Sequence, residues 1–112
     1  MTLNEYQTLA QRTSRRELTP REHLMNGILG LAGETGECAD LVKKHFYQDG
    51  REIIDNLKDE VGDCLWYVIE VASAMGWTLE EVAQHNIEKL EKRYPLGFDA
   101  DRSLNREVNG NG

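Results

Sequence analysis

Two pairs of carboxylates at a spacing of three residues carry the chemistry available to this chain. Glu34 and Glu37 lie in Gly33-Glu34-Thr35-Gly36-Glu37, and Glu60 and Asp63 lie in Asp59-Glu60-Val61-Gly62-Asp63. On an α-helix such a spacing puts both side chains on one face. If the two helices are neighbours, all four carboxylates converge. Each close pair then repels by roughly 4 kcal/mol at an effective dielectric near 20, and something must offset it. A hard divalent cation does so most simply, because magnesium and manganese take oxygen ligands and keep waters that phosphate oxygens can displace. The expected cofactor is therefore Mg2+, with Mn2+ as the alternative, held by Glu34, Glu37, Glu60 and Asp63.

The elements that would position these groups read as helices. Thr2-Leu3-Asn4-Glu5 has the form of a capping box, and Leu3, Tyr6, Leu9 and Ala10 follow at helical spacing, so a first helix is expected to run to about Thr13. Thr19-Pro20-Arg21-Glu22 repeats the signal with proline at the first helical position. The second helix carries Leu24, Ile28, Leu31, Ala32, Ala39 and Val42, closes at Lys43-Lys44-His45-Phe46-Tyr47, and gives way to an Asp49-Gly50 turn. Gly27, Gly30, Gly33 and Gly36 recur along it at every third position. A helical glycine costs about 1 kcal/mol relative to alanine, so four imply close approach of another helix or of a ligand.

Asp55 or Asn56 is the expected N-cap of a third helix, which continues through Val61, Cys64, Leu65, Val68, Ala72 and Met75. Between Cys64 and Trp77 its one charged residue is Glu70, so it is apolar nearly all round and should be covered on more than one side. A second copy of the chain is the expected cover. Gly76-Trp77 ends this helix and Thr78-Leu79-Glu80-Glu81 opens a fourth, whose buried stripe is Leu79, Val82, Ala83, Ile87, Leu90 and Tyr94. Beside that stripe Asn86, Lys89 and Arg93 form a polar row, two cations and an amide that can bind phosphate oxygens or a base edge. Pro95 and Gly97 stop the helix, and the polar stretch from 99 to 112 is expected to be a flexible tail.

The chain has 112 residues, enough for one core and one all-α domain over 1–98, a small four-helix bundle completed by oligomerisation. Thirteen basic and twenty acidic residues leave a net charge of −7, which disfavours nucleic-acid polymers and anionic membranes as partners. No run approaches the roughly 18 apolar residues of a membrane span, and the N-terminal stretch lacks the character of a signal peptide, so a cytoplasmic location is expected. Cys38 and Cys64, without CxxC spacing, read as small buried side chains.

Three blocks, Gly30-Leu31-Ala32-Gly33-Glu34-Thr35-Gly36-Glu37, Asp59-Glu60-Val61-Gly62-Asp63 and Lys89-Leu90-Glu91-Lys92-Arg93-Tyr94-Pro95-x-Gly97-Phe98, together resemble the MazG-like all-α nucleoside triphosphate pyrophosphohydrolase superfamily. The likeness spans about residues 20 to 98. The metal motif of that family, ExxE and then ExxD, falls on Glu34, Glu37, Glu60 and Asp63. Many members carry a further Glu directly before the first motif Glu, where this chain has Gly33.

The resemblance implies a homodimer or homotetramer that binds magnesium through the acidic quartet. It implies hydrolysis of a nucleoside triphosphate between the α and β phosphates, giving monophosphate and pyrophosphate. Glu37 or Glu34 would accept the proton of the attacking water, and Asn86, Lys89 and Arg93 would contact substrate. Tyr6, Gln7, His23 and Asn26 are positional candidates for base selectivity. Three other readings compete. A non-enzymatic helical oligomerisation module would use the same apolar helix. A phosphoribosyl-ATP pyrophosphohydrolase would share the helical plan. A ferritin-type di-iron bundle needs Glu-x-x-His on two helices, and neither ligand-bearing segment supplies it.

Overall fold

The computed structural model describes residues 1–97, which form four α-helices and no β-strand. The expected tail over 99–112 lies outside the described residues. Among the described residues no helix is long and apolar enough to cross a membrane. The chain divides into two compact units, Met1–Thr78 and the part from Leu79 onward.

Local side-chain chemistry starts the first two helices. Helix α1, Leu3–Gln11, begins at Thr2, whose hydroxyl accepts the Glu5 N–H at 3.1 Å while the Glu5 carboxylate accepts the Thr2 N–H at 3.2 Å. Helix α2, Pro20–Tyr47, repeats this reciprocal pair between Thr19 and Glu22 at 3.2 and 3.0 Å. Each box satisfies two of the backbone donors that a helix start leaves without partners.

Past α2 the chain turns at Gly50, whose φ of 67° is a left-handed conformation. Arg51 grips Asp49 there with a doubly bonded guanidinium, which holds the Asp49 carboxyl down at about 2. Helix α3, Ile54–Ala74, starts earlier than the expected cap at Asp55 or Asn56. Its N-cap is Ile53, which makes no side-chain cap bond. Glu52 supplies the missing acceptor from upstream, its carboxylate taking the Ile54 N–H. The end of α3 is a Schellman motif. Trp77 N–H reaches Ala72 C=O at 2.8 Å and Gly76 N–H reaches Ser73 C=O at 3.1 Å, with Gly76 at φ 75°.

Helices α2 and α3 run antiparallel, and small residues on α2 set how closely they meet. A Cβ on Gly27 would lie 2.7 Å from Val71 Cγ2, and one on Gly30 would lie 2.1 Å from Tyr67 Cε1. Close packing therefore accounts for Gly27 and Gly30. Gly33 and Gly36 have nothing within 4 Å of the corresponding position. The first unit's apolar core is small, comprising Ile69, Ala72, Ala10 and Ile53.

Helix α1 is fastened to α3 largely by polar groups. Trp66 Nε1 donates to Ala10 C=O at 3.2 Å and to Thr13 Oγ1 at 2.8 Å. Gln11 Nε2 reaches Glu70 Oε1 at 3.1 Å, and Gln7 Nε2 reaches Ser73 Oγ at 3.0 Å and Trp77 C=O at 2.9 Å. Residues 66, 70, 73 and 77 advance by steps of four, three and four, so these acceptors and donors line one side of α3.

In the second unit, helix α4 spans Leu79–Arg93 with Leu79 buried at its start. Acidic Glu80 and Glu81 occupy its first turn and Lys92 and Arg93 its last, an order that complements the helix dipole.

Candidate metal and nucleotide site

The antiparallel pairing of α2 and α3 turns two sequence-distant carboxylate pairs into one cluster. Ligand oxygens of Glu34, Glu60 and Asp63 all lie within 4.8 Å of one another. Glu34 and Glu60 are half-buried and Asp63 is exposed. Glu37, one turn further along α2, is exposed and stands outside this group.

The electrostatics record the crowding. A hydrogen bond to Glu34 raises the Glu60 carboxyl above its ordinary value, and desolvation and the negative charges of Glu34 and Asp59 push the same way. Tyr6, on α1, has its phenol raised by burial and then by the charge of Asp63. Cys38 and Cys64 each lie four residues beyond one of the paired glutamates. Burial, a hydrogen bond to Cys64, and the negative charges of Cys64, Glu60 and Glu34 raise the Cys38 thiol. Both cysteines are free and half-buried.

A pocket of about 430 Å³ opens beside the carboxylates, lined by Thr13, Glu34, Asp63, Trp66 and Tyr67. The two rings meet edge to face, centroids 5.0 Å apart and planes at 85°. Thr13, Trp66 and Tyr67 were not legible as lining residues. Nothing local marks them, because they meet only when α1 lies against α3.

The same α3 carries a second polar centre further along, at Glu70, seven residues beyond Asp63. Glu70 is 2% exposed, yet it is charged. Ser14 Oγ donates to Glu70 Oε1, Gln11 joins the same oxygen, and His23 Nδ1 lies 3.0 Å from Oε2. Burial pushes this carboxyl up, but the bonds from Ser14, His23 and Gln11 outweigh it and the net shift is downward. A cavity of about 100 Å³ adjoins the cluster. Sequence reasoning treated Glu70 only as the exception in an apolar run. A lone charge in such a run is itself the signal for a buried, partnered carboxylate.

The positional candidates for selectivity separate. Tyr6 feels Asp63, Gln7 bonds to α3, His23 serves Glu70, and Asn26 is exposed. On α4, Asn86 is exposed, Lys89 half-buried and Arg93 buried.

Comparison with known families decides what this cluster belongs to. The model of the MazG nucleotide pyrophosphohydrolase domain matches residues 23–98, which hold all four motif carboxylates and helix α4. This chain belongs to the MazG family. The MazG domain is all-α, in agreement with the four helices, and makes the protein a pyrophosphohydrolase-type enzyme in general terms. The chain is also 41% identical over 89 residues to the Gene 37 protein of Mycobacterium phage L5, covering 76% of this chain and 78% of that protein. No solved structure matches it. MazG domains work with a divalent metal, and the donor set here suits one. Three carboxylates and no histidine or thiolate make an all-oxygen set, the preference of a hard cation. A cation beside Glu60 would act against the causes that raise its carboxyl, since an opposite charge favours the ionised form.

Proposed function

We propose that this MazG protein hydrolyses a nucleoside triphosphate between its α and β phosphates, with Mg2+ as cofactor and Mn2+ as a substitute, giving the monophosphate and pyrophosphate. The observation that carries the reading is the convergence of Glu34, Glu60 and Asp63 within 4.8 Å at the edge of an open pocket. Bound magnesium would neutralise phosphate charge and lower the pKa of a coordinated water. Glu34, Glu60 and Asp63 would hold the cation, and Glu37 would complete the motif from the next turn of α2.

Water attacks phosphorus, the bond to the bridging oxygen breaks, and pyrophosphate leaves with that oxygen. Glu37 or Glu34 accepts the proton released by the water. The exposed position of Glu37 leaves it free to do so without giving up the Glu34–Glu60 contact. Asn86 and Lys89 are assigned to substrate contact on α4. Arg93 belongs to the same row and is 7% exposed. The substrate is a free nucleotide, since a chain of net charge −7 repels a nucleic-acid polymer.

A homodimer or homotetramer is part of this reading. Leu29 is 69% exposed, and Met25, Ile28, Val61 and Leu65 are exposed with it on α2 and α3. Apolar side chains in that number on the two site-bearing helices suit a second copy of the chain. A cytoplasmic location accords with a free-nucleotide substrate.

The test is pyrophosphate release from a panel of canonical and modified nucleoside triphosphates, with magnesium and with EDTA. Magnesium-dependent release of pyrophosphate and monophosphate in equal amounts is expected. Silence across the panel, or release of orthophosphate, would overturn the assignment.

A further inference from the structure

The pocket's lining is of two chemical kinds. Glu34 and Asp63 are acidic, and Thr13, Trp66 and Tyr67 are not. We propose that Trp66 and Tyr67 are the wall on which the base of the nucleotide stacks, and that this wall reads the flat face of a base rather than its hydrogen-bonding edge. The inference rests on the nucleotide reading above and adds to it where the base lies and how it is selected.

Both rings are held in place before any ligand arrives. Tyr67 lies over Gly30 so closely that a methyl group at Gly30 would meet three ring carbons within 2.5 Å. Trp66 is fixed by its indole N–H, which donates to both Ala10 C=O and Thr13 Oγ1. The Thr13 hydroxyl in turn donates to Ala10 C=O at 2.7 Å. The donors of Trp66 and Thr13 are therefore already committed within the protein. Trp66 thus presents aromatic surface to a ligand, and the Tyr67 ring stands beside it at 85°.

Aromatic surface of this kind binds any base, because every base has a π-face. A pocket of about 430 Å³ holds a base together with part of its sugar. The adjoining carboxylates then lie on the phosphate side. Preordered rings also lower the entropic cost of binding. Tolerance of different bases follows, with rejection based on size.

The test compares binding of an α,β-methylene nucleoside triphosphate with that of inorganic tripolyphosphate, both with magnesium, by calorimetry on the full chain. The two share phosphates but only one has a base. Wild type should prefer the nucleotide by about tenfold or more, the scale of a single base–aromatic stack. Trp66→Phe should keep most of that preference and Trp66→Leu should lose it, with tripolyphosphate affinity unchanged in both. An unchanged preference in Trp66→Leu, or equal binding of the two ligands by wild type, would overturn the proposal.

If Trp66→Leu does not fold, Trp77→Phe leaves Trp66 as the one indole in the chain. Saturable, base-dependent quenching of its emission by a nucleoside monophosphate supports the wall, and no quenching overturns it. These readouts are binding measurements, so they separate from turnover. Absence of pyrophosphate release with the base preference intact would remove the proposed reaction and leave the wall. Release with an unchanged KM in Trp66→Leu would do the reverse.

Discussion

Glu34 of α2 and Glu60 of α3 share a hydrogen bond across the helix interface, and that bond is the main reason the Glu60 carboxyl holds its proton more tightly than usual. A cation beside Glu60 would favour its charged form and so oppose that rise.

Glu60→Gln is therefore expected to separate stability from metal binding. The substitution keeps a hydrogen-bonding group beside Glu34 and removes a charge that opposes folding. Without metal its melting temperature should match or exceed that of wild type. With millimolar magnesium, wild type should melt higher and Glu60→Gln should not, and magnesium-dependent turnover should disappear. Glu37→Gln should also abolish turnover with the fold intact. Retained activity in both variants would sink the acidic cluster as the centre of the chemistry.

The buried Glu70 makes the acid limb of stability informative. Its carboxyl is lowered in the folded chain, so the stability it contributes is present above its unfolded value, near 4.3, and is lost as pH falls through the folded value. Chemical denaturation at several pH values below 5 should show wild type weakening. Glu70→Gln should weaken less over that range, although it is less stable than wild type at pH 7. Glu70→Ala should cost about 2–4 kcal/mol at pH 7, because Ser14, Gln11 and His23 lose their common acceptor.

The four glycines of α2 should behave as two classes. Gly30→Ala places a methyl group against the Tyr67 ring and should destabilise by about 1–3 kcal/mol despite better helix propensity. Because Tyr67 lines the pocket, it should also weaken nucleotide binding. Gly33→Ala and Gly36→Ala meet nothing within 4 Å and should each stabilise the isolated chain by up to about 1 kcal/mol. A loss of stability at Gly33 or Gly36 would show that a second copy or a ligand occupies that surface. Thermal melts of the three variants decide it.

Leu29→Glu and Leu65→Glu test the association of copies. Light scattering of wild type at micromolar concentration should give a dimer or tetramer mass, and at least one variant should shift it towards 12.8 kDa. A monomeric wild type would remove the second copy from the proposed function.

Local chemistry made much of the fold legible. The starts of α1 and α2 follow from a hydroxyl and a glutamate three residues apart, and the end of α3 follows from a glycine that can take positive φ. Those contacts lie within a turn of chain, so the residue types are enough to decide them. The α3 start escaped because its acceptor, Glu52, is not a usual capping residue and works from outside the helix. The acidic motif was legible as two pairs, because a three-residue spacing on a helix needs no tertiary information.

Which carboxylates meet is another matter. The register and rotation of α2 against α3 bring Glu34 to Glu60 and Asp63 while leaving Glu37 exposed. The same register packs Gly27 and Gly30 but not Gly33 and Gly36, although all four recur at one spacing. Glu70 looked like a break in an apolar helix. Three donors, two from the end of α1 and its connector and one from α2, make its burial tolerable. Sequence by itself determined where the helices run and which chemistry they carry, because those depend on neighbours a turn away. Tertiary structure decided which of those groups touch, because that depends on sub-ångström fit between helices whose residues lie tens of positions apart.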